Sequence, residues 1–330
     1  MVVTATMTRD HFYMELQQLR YVIEVAATQS FTRAAERCFV TQSALSHQVA
    51  ALERELGERL FVRSSRSVRV TEAGEAFLVH ARAAVTAADT AREAATSTGG
   101  RVVGTLRLGI IPTVTALDVP VLIARFRSAH PDARVELTVG NSDALVEALR
   151  RGELDAALLG LRADAEPQGV AVRELSRERL AAAVPRGHRL AARPRVRLAD
   201  LADETFADFP SGTSGRAQSD AAFAAAGIPR DVAFEADSAA LILGLVGAGV
   251  AVTLLAPGVV ASASSEVVAV ALVDGPERIE YAAWDARSPR GVTSALLRAL
   301  ETSTRTGSGT GVSDDEAGPE ESSEPAPSRH

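Results

Sequence analysis

Small, uncharged hydrogen-bonding side chains are concentrated in the segment TQSALSHQVAAL, residues 41–52. Thr41 is a favourable helix N-cap, because its hydroxyl can accept from an N–H of the first turn that lacks another partner. Leu45, Val49 and Leu52 recur at i, i+4 and i+7 and predict one buried apolar stripe. A helix with a buried back and an uncharged polar front can read base edges in the major groove of DNA. The polar side chains of that front are Gln42, Ser43, Ser46 and His47.

Two flanking segments would position this helix. Residues 31–37 predict a shorter helix in which Ala34 and Ala35 permit a close crossing, and Gly57 is suited to end the second helix. The pattern alone fits an ordinary helix pair of an all-α protein as well as a helix-turn-helix. The next stretch, residues 59–71, adds four arginines and no acid, and its alternation predicts a two-stranded β-wing. Wing arginines can contact phosphates or enter the minor groove, which favours DNA binding.

The sequence MELQQLRYVIEVAATQSFTRAAERCFVTQSALSHQVAALERELGERLFVR, followed by VTEAGEAF, resembles a known DNA-binding unit. It is similar, without a gap from Met14 to about Phe77, to the N-terminal winged helix-turn-helix of the LysR-type transcriptional regulators. The resemblance implies that Thr32 and Arg63 hold phosphates and that Arg66 reaches the minor groove. It also implies that Thr41 belongs to the DNA-binding surface and that four side chains face bases, namely Gln42, Ser43, Ser46 and His47.

Two of these positions depart from the commonest pattern of the family. Ser43 stands where proline is frequent, and His47 stands where arginine is frequent. Arginine binds guanine with a fixed fork, whereas a neutral histidine offers one donor and one acceptor. The resemblance therefore does not give the base preferred by His47.

The formal net charge of −7 is unusual for a DNA-binding protein, but the charge is unevenly distributed. Between Met14 and Glu72 eight arginines stand against seven acids, and four of those arginines lie in the wing. Local charge rather than whole-chain charge governs contact with DNA. All 35 basic residues are arginine, which we attribute to GC-rich codon usage rather than to phosphate binding.

Cysteine and histidine usage excludes several kinds of site. A single cysteine, Cys38, cannot form an intramolecular disulfide, and residues 1–13 do not form a signal peptide, so we expect a cytoplasmic protein. Some members of the family sense oxidants through a cysteine pair in the effector domain, which this chain does not have. The six histidines show no metal-ligand spacing, and no cofactor is expected. No uninterrupted apolar run reaches membrane-spanning length.

A long helix is predicted from Glu72 to about Thr96, with Thr71 as its N-cap. Its small apolar residues alternate at spacings of four and three, which is the pattern of a heptad seam. The helix is either a spacer of high helix propensity or a self-pairing seam. We favour pairing, because helix-turn-helix proteins commonly read two half-sites as dimers; residues 97–100 then offer a hinge. The seam consists of Phe77, Ala81, Ala84, Ala88, Ala91 and Ala95.

From Arg101 onward the hydrophobic period predicts alternating strands and helices. TLRLGII, RVELTVG and ELDAALLG are strands separated by helices over residues 116–128 and 142–150, which indicates a parallel sheet. GNSDALVEALRRGELDAALLG also resembles the LysR-type effector domain, and this resemblance implies an α/β domain of two lobes, like a periplasmic binding protein. We assign residues 101–161 and 267–301 to lobe 1 and residues 162–266 to lobe 2, with crossing segments near Gly160 and Glu266.

Two lobes joined in this way leave a cleft in which small ligands bind. Its predicted walls are PTVT, residues 112–115, and PSGT, residues 210–213, each expected to open a helix. Free N–H groups at helix starts, together with hydroxyls, favour an anion. The same residues fit ordinary caps and turns, but matching loops line the inducer cleft in the family, and this favours ligand contact. The candidate effector-binding residues are Thr113, Thr115, Ser211 and Thr213.

The sequence predicts five regions. Residues 1–13 are expected to be a disordered extension, and residues 302–330, with six acids against two arginines, a disordered acidic tail. Between them lie a winged helix-turn-helix (14–72), a linker and dimerisation helix (73–98) and a two-lobed effector domain (99–301).

The most specific interpretation is a LysR-type regulator that binds double-stranded promoter DNA as a homodimer or homotetramer and responds to a small anionic metabolite. Contact with RNA polymerase is left open, and no membrane partner is expected. A two-lobed solute-binding protein without a transcriptional role is the alternative, and the winged helix argues against it. An enzyme is disfavoured, because the sequence shows no nucleophile with a base, no phosphate loop and no metal cluster.

Overall fold

The computed structural model describes residues 14–64, 67–96, 101–286 and 289–307. The expectations for the N-terminal extension, for Arg66, for the hinge at 97–100 and for the tail beyond residue 307 lie outside these ranges. Within them, a winged helical unit, a long helix and two α/β lobes follow one another, as predicted. None of the described helices is long and apolar enough to cross a membrane.

Three helices and a two-stranded wing form the N-terminal unit. They are α1 (Leu16–Thr28), α2 (Phe31–Arg37), α3 (Gln42–Leu56), β1 (Phe61–Arg63) and β2 (Val68–Val70). The predicted stripe of Leu45, Val49 and Leu52 is fully buried, and the rings of Phe31 and Phe61 meet edge-on with 5.9 Å between their centroids. This packing holds α3 and the wing to one core and leaves the opposite face of α3 at the surface.

The long helix α4 (Glu72–Thr96) follows the wing directly. It begins where predicted, since the Thr71 hydroxyl accepts from the N–H of Gly74 at 3.0 Å. Leu78 belongs to the core of the N-terminal unit, and Ala81 of the predicted seam is buried within the chain. Other members of the seam remain available to a second chain, and self-pairing stays a prediction. The exposed members are Ala84, Ala91 and Ala95.

Lobe 1 contains one sheet and three helices. Their bounds are β3 (Gly104–Ile110), α5 (Val119–Ala129), β4 (Ala133–Val139), α6 (Ser142–Arg150), β5 (Ala156–Arg162), β6 (Ala171–Arg179), β13 (Glu277–Trp284) and α10 (Gly291–Gly307). The strand order is β4-β3-β5-β13-β6, in which β3 runs parallel to β4 and β5 and β13 runs antiparallel to β5 and β6. Alternate residues of β5 enter two cores, Leu158 with α5 and α10 and Leu159 with α6, so helices cover both faces.

Lobe 2 is built around β7 (Ala181–Pro185). The other strands are β8 (Arg195–Val196), β9 (Thr205–Asp208), β10 (Asp231–Glu235), β11 (Thr253–Leu255) and β12 (Val267–Leu272), and the helices are α7 (Ser214–Ala226), α8 (Ala239–Gly247) and α9 (Pro257–Ala261). Strands β11 and β12 flank β7, and β8 lies beyond β12. The parallel pair β9–β10 joins this sheet through a bridge from Phe206 to Val252.

The predicted lobe boundaries are wrong at both crossings. Strand β6 pairs with β13 and so belongs to lobe 1, whereas β12 pairs with β7 and so belongs to lobe 2. The chain therefore crosses at Leu180 and again between Val273 and Pro276, rather than near Gly160 and Glu266. The C-terminal helix also continues to Gly307, so the predicted tail cannot begin at Thr302.

Candidate nucleic-acid interface and effector cavity

Helix α3 presents the predicted polar front at the surface of the N-terminal unit. The Thr41 hydroxyl accepts from the N–H of Ala44 at 3.3 Å and lies 3.2 Å from the hydroxyl of Ser43. Thr41 therefore fixes the start of the helix, as its N-cap role predicts. The front itself carries exposed Gln42, Ser43 and His47 and half-buried Ser46.

Arg63 at the end of β1 is held against α3 by three contacts. Its Nη1 donates to the Ser46 hydroxyl at 2.8 Å, and its Nη2 lies 3.6 Å from the Glu53 carboxylate. Its guanidinium also lies 4.0 Å from the ring centroid of Phe31. The side chain is 36% exposed, so its guanidinium remains accessible to a phosphate beside the polar front of α3. Ser46 accepts from Arg63 and keeps its own O–H for donation.

Glu53 orients Arg63 and was missed by sequence reasoning. Its Oε1 accepts from the main-chain N–H groups of Leu60 and Phe61 at 2.9 and 3.1 Å, which fixes the start of the wing relative to α3. An acid beside the predicted DNA-binding surface looks unfavourable from sequence. Glu53 lies on the side of α3 that faces the wing, where it accepts these two hydrogen bonds.

Two further positions complete the surface. Thr32 is exposed in the first turn of α2, which is the placement that a phosphate contact requires. Phe39, in the turn between α2 and α3, is 95% exposed with φ of 56°. Nothing in the sequence marked it, since positive φ is expected at glycine or asparagine rather than at phenylalanine.

A cavity of about 370 Å³ lies between the two lobes. The loop after β3 and the start of α6 line it from lobe 1, and the start of α7 and the end of β11 line it from lobe 2. Of the four predicted effector-binding residues, Thr113 and Thr213 line the cavity, whereas Thr115 and Ser211 do not. Most of the wall is apolar. Its polar side chains besides the two threonines are Asn141, Ser142, Gln218, Asp237 and Arg278.

The first predicted anion site already holds a carboxylate of the chain. The N–H groups of Thr115 and Ala116 donate to buried Glu280 at 2.9 and 3.1 Å, and the Thr115 hydroxyl donates to it at 2.6 Å. Helix α5 begins only at Val119, and Asp118 caps it. The expectation that residues 112–115 open a helix is therefore wrong, because α5 begins at Val119 and the N–H of Thr115 is used inside lobe 1.

Arg278 connects this loop to the crossing strands. Its Nη1 donates to the Thr113 hydroxyl at 3.0 Å, and its Nη2 donates to Glu178 at 2.9 Å and also contacts Glu280. The Arg278 side chain is 4% exposed. Thr113 therefore acts as an acceptor for a guanidinium whose charge two carboxylates offset. Arg278 and Glu280 are i and i+2 in the apolar strand RIEYAAW, and this same-face pairing was the signal that could have revealed them.

The second predicted anion site, at the start of α7, is also partly filled. Thr213 caps the helix, since its hydroxyl accepts from the N–H of Arg216 at 3.3 Å and donates to the Pro210 carbonyl at 2.8 Å. The N–H of Ser214 donates across the cleft to Asp143 of lobe 1 at 2.7 Å. Ser211 is exposed outside the cavity. Thr213 is thus an ordinary cap that also lines the cavity, and Asp143 joins the lobes.

Cys38 belongs to the N-terminal unit rather than to the cavity. Burial raises the pKa of its thiol, with a further contribution from nearby Glu24. A raised pKa lowers the thiolate fraction and so the reactivity of the residue. Among the described residues, no group of three histidine, cysteine or acidic side chains is arranged to hold a metal ion.

Comparison with known proteins covers both parts of the chain. A family model described as "Bacterial regulatory helix-turn-helix protein, lysR family" matches residues 16–75, and one described as "LysR substrate binding domain" matches residues 99–305. The regulator ShiR of Corynebacterium glutamicum is 37% identical over 249 residues, which is 74% of this chain and 83% of that protein. The transcriptional dual regulator GltC of Bacillus subtilis is 34% identical over 242 residues, covering 73% and 80% of the two chains.

Solved structures show the same arrangement over most of the chain. A full-length OxyR variant of Pseudomonas aeruginosa has a TM-score of 0.69 at 28% identity, covering 89% of this chain and 95% of that one. CbnR complexed with its target DNA has a TM-score of 0.62 at 26% identity, covering 88% and 100%. Together with the two family models, these similarities show that the chain belongs to the LysR family of transcriptional regulators.

Proposed function

We propose that the chain reads promoter DNA with the front of α3 and with the wing, and that a small molecule bound between the lobes changes this reading. The observation that carries the DNA part is the uncharged front of α3 with Arg63 fixed beside it by Ser46 and Phe31. In this proposal Gln42, Ser43, Ser46 and His47 meet base edges. Thr32 and Arg63 meet phosphates, and Arg66 of the wing enters the minor groove.

His47→Ala tests the base-reading role. Removing the donor and acceptor of His47 should weaken the base preference at one position per half-site. The free-energy difference between the preferred base and the other bases should fall by about 1–3 kcal/mol. The measurement is a selected-sequence binding profile of the full-length variant and its parent. His80→Ala is the control, because His80 is also exposed but lies on α4. A profile unchanged by His47→Ala while DNA is still bound would remove His47 from the reading surface.

The cavity is the proposed site of the small molecule. A ligand that binds one arrangement of the lobes more tightly than another would shift the equilibrium between these arrangements. The shift equals the difference in binding free energy, on the order of 1–3 kcal/mol. Through α4 the change would reposition two paired winged units on their half-sites. Thr113→Val and Thr213→Val remove polar groups from the wall and should weaken the ligand-dependent change in a DNase footprint, whereas Ser211→Ala should not. If both valine variants respond like the parent to a compound found by screening, the wall is misassigned.

The proposed working form is a homodimer or homotetramer in the cytoplasm, paired through the exposed alanines of α4. Helix-turn-helix proteins commonly read two half-sites, and the DNA-bound relative CbnR supports operator binding for this architecture. RNA polymerase is a further proposed partner at the promoter.

Two other functions are less well supported. A solute-binding function would use the two lobes but would leave the polar front of α3 without a role. An enzymatic function has no support from the relatives, which are transcriptional regulators. Relatives at 32% identity are named hydrogen peroxide-inducible genes activators. This chain carries its single cysteine at position 38, so peroxide sensing by a pair of effector-domain thiols is not proposed.

A further inference from the structure

The charged groups around the cavity between the lobes oppose an anionic ligand. Three main-chain N–H groups near the cavity already donate to carboxylates of the chain: those of Thr115 and Ala116 to Glu280, and that of Ser214 to Asp143. An anionic ligand that used these donors would have to displace a carboxylate. Displacing Glu280 would leave its buried carboxylate without these hydrogen bonds, which is costly.

Arg278 does not supply the missing positive charge. It lines the cavity, but its guanidinium contacts both Glu178 and Glu280, so two negative charges face one positive charge. Its Nε is buried without a hydrogen-bond partner and could donate to a ligand atom. That donor belongs to the same offset guanidinium, and it therefore suits a neutral acceptor better than a carboxylate.

Among the described residues, Asp237 is the other charged side chain that lines the cavity. It is exposed, and among the described residues it has neither a hydrogen bond nor an ion pair. The neighbouring residue Ser238 already caps α8 by accepting from the N–H of Leu241 at 3.3 Å, so Asp237 is not needed for that contact. The unpaired charge at the cavity wall is thus negative.

We infer that the ligand carries a positively charged donor group, such as an ammonium, which pairs with Asp237, on an apolar body that fills the rest of the cavity. This inference rests on the proposed effector role of the cavity and names the chemical class of the effector. The volume of about 370 Å³ suits a small organic molecule, and the wall of Ile111, Leu180, Phe209 and Leu254 suits an apolar body.

Three probes of similar shape and different charge test the inference on the full-length protein: phenethylammonium, phenylacetamide and phenylacetate. Binding is measured by isothermal titration calorimetry to the parent, to Asp237→Asn and to the control Asp231→Asn, an exposed aspartate of β10 outside the cavity. We expect the ammonium to bind tightest and the carboxylate weakest. Asp237→Asn should weaken the ammonium about fivefold, as for a partly exposed ion pair, and leave the amide unchanged.

Tighter binding of phenylacetate than of phenethylammonium would overturn the inference, as would an ammonium preference that survives Asp237→Asn or a failure of both the amide and the ammonium to bind. Operator selection by the ligand-free protein is measured in parallel. Its loss would refute the regulator proposal whatever the probes do, whereas a wrong charge order with intact operator selection refutes only the ligand class.

Discussion

Glu93→Ala should loosen α4 from lobe 1, because it removes half of a buried ionic contact between them. Arg290, before α10, contacts Glu93 of α4, binds Asp155 at 3.0 Å and donates to the Thr105 carbonyl at 3.2 Å. The three charged side chains are at most 8% exposed. Removing one partner of a buried pair costs about 3–5 kcal/mol, and since Asp155 remains we expect about 2–3 kcal/mol here.

Gly104 gives an independent test of the same contact. It has φ of 119°, and a Cβ placed on it would lie 2.3 Å from Oε1 of Glu93. Gly104→Ala should therefore destabilise the parent both by backbone strain and by collision with Glu93. In the Glu93→Ala background the collision with Glu93 is absent, so the double-mutant cycle should show a coupling of about 1 kcal/mol or more.

Urea unfolding followed by fluorescence of Trp284, the single tryptophan, reports on lobe 1, because Trp284 ends β13. Glu75→Ala is the matched control, since Glu75 is an exposed acid on the same helix and its loss should change the free energy of unfolding by at most about 1 kcal/mol. If Glu93→Ala costs no more than Glu75→Ala, or if the Gly104 and Glu93 effects simply add, the contact does not hold α4 to the lobe.

Three further outcomes follow from individual residues. A chain ending at Gly307 should keep the melting temperature and operator affinity of the full chain, because residues beyond it lack core-forming composition, and a large drop in melting temperature would contradict this. Alkylation of Cys38 by iodoacetamide should reach its half-maximal rate at a higher pH in the native protein than in urea, because burial raises the pKa of the thiol; identical pH profiles would refute the burial argument. Arg63→Gln should weaken binding to all DNA sequences alike and lower the salt dependence by about one phosphate contact, and an unchanged salt slope would exclude a phosphate role.

Local patterns predicted the N-terminal unit well. The Thr41 cap, the Leu45, Val49 and Leu52 stripe and the two-strand wing are all confirmed, because each depends on neighbours within a few turns of chain. The predicted lobe boundaries were wrong because the alternation of apolar and polar residues predicts a strand but not the strand with which it pairs. Strand β6 looks like any half-buried strand, and only its pairing with β13, about a hundred residues later, places it in lobe 1.

The expectation for the loop at residues 112–115 was wrong for a related reason. Hydroxyls and N–H groups near residues 112–116 were interpreted correctly as attractive to a carboxylate, but an N–H donor does not distinguish a ligand from an acid of the same chain. Glu280 reaches them from 165 residues away, carried by a strand whose register puts it beside Arg278. Burying a charged pair at i and i+2 of a strand as apolar as RIEYAAW costs free energy unless other polar groups bond to it. Such a pair therefore predicts that the donors of a polar loop elsewhere in the chain already bond to the acid of the pair. Here this removes one reason to expect an anionic ligand and supports the proposal of a positively charged one.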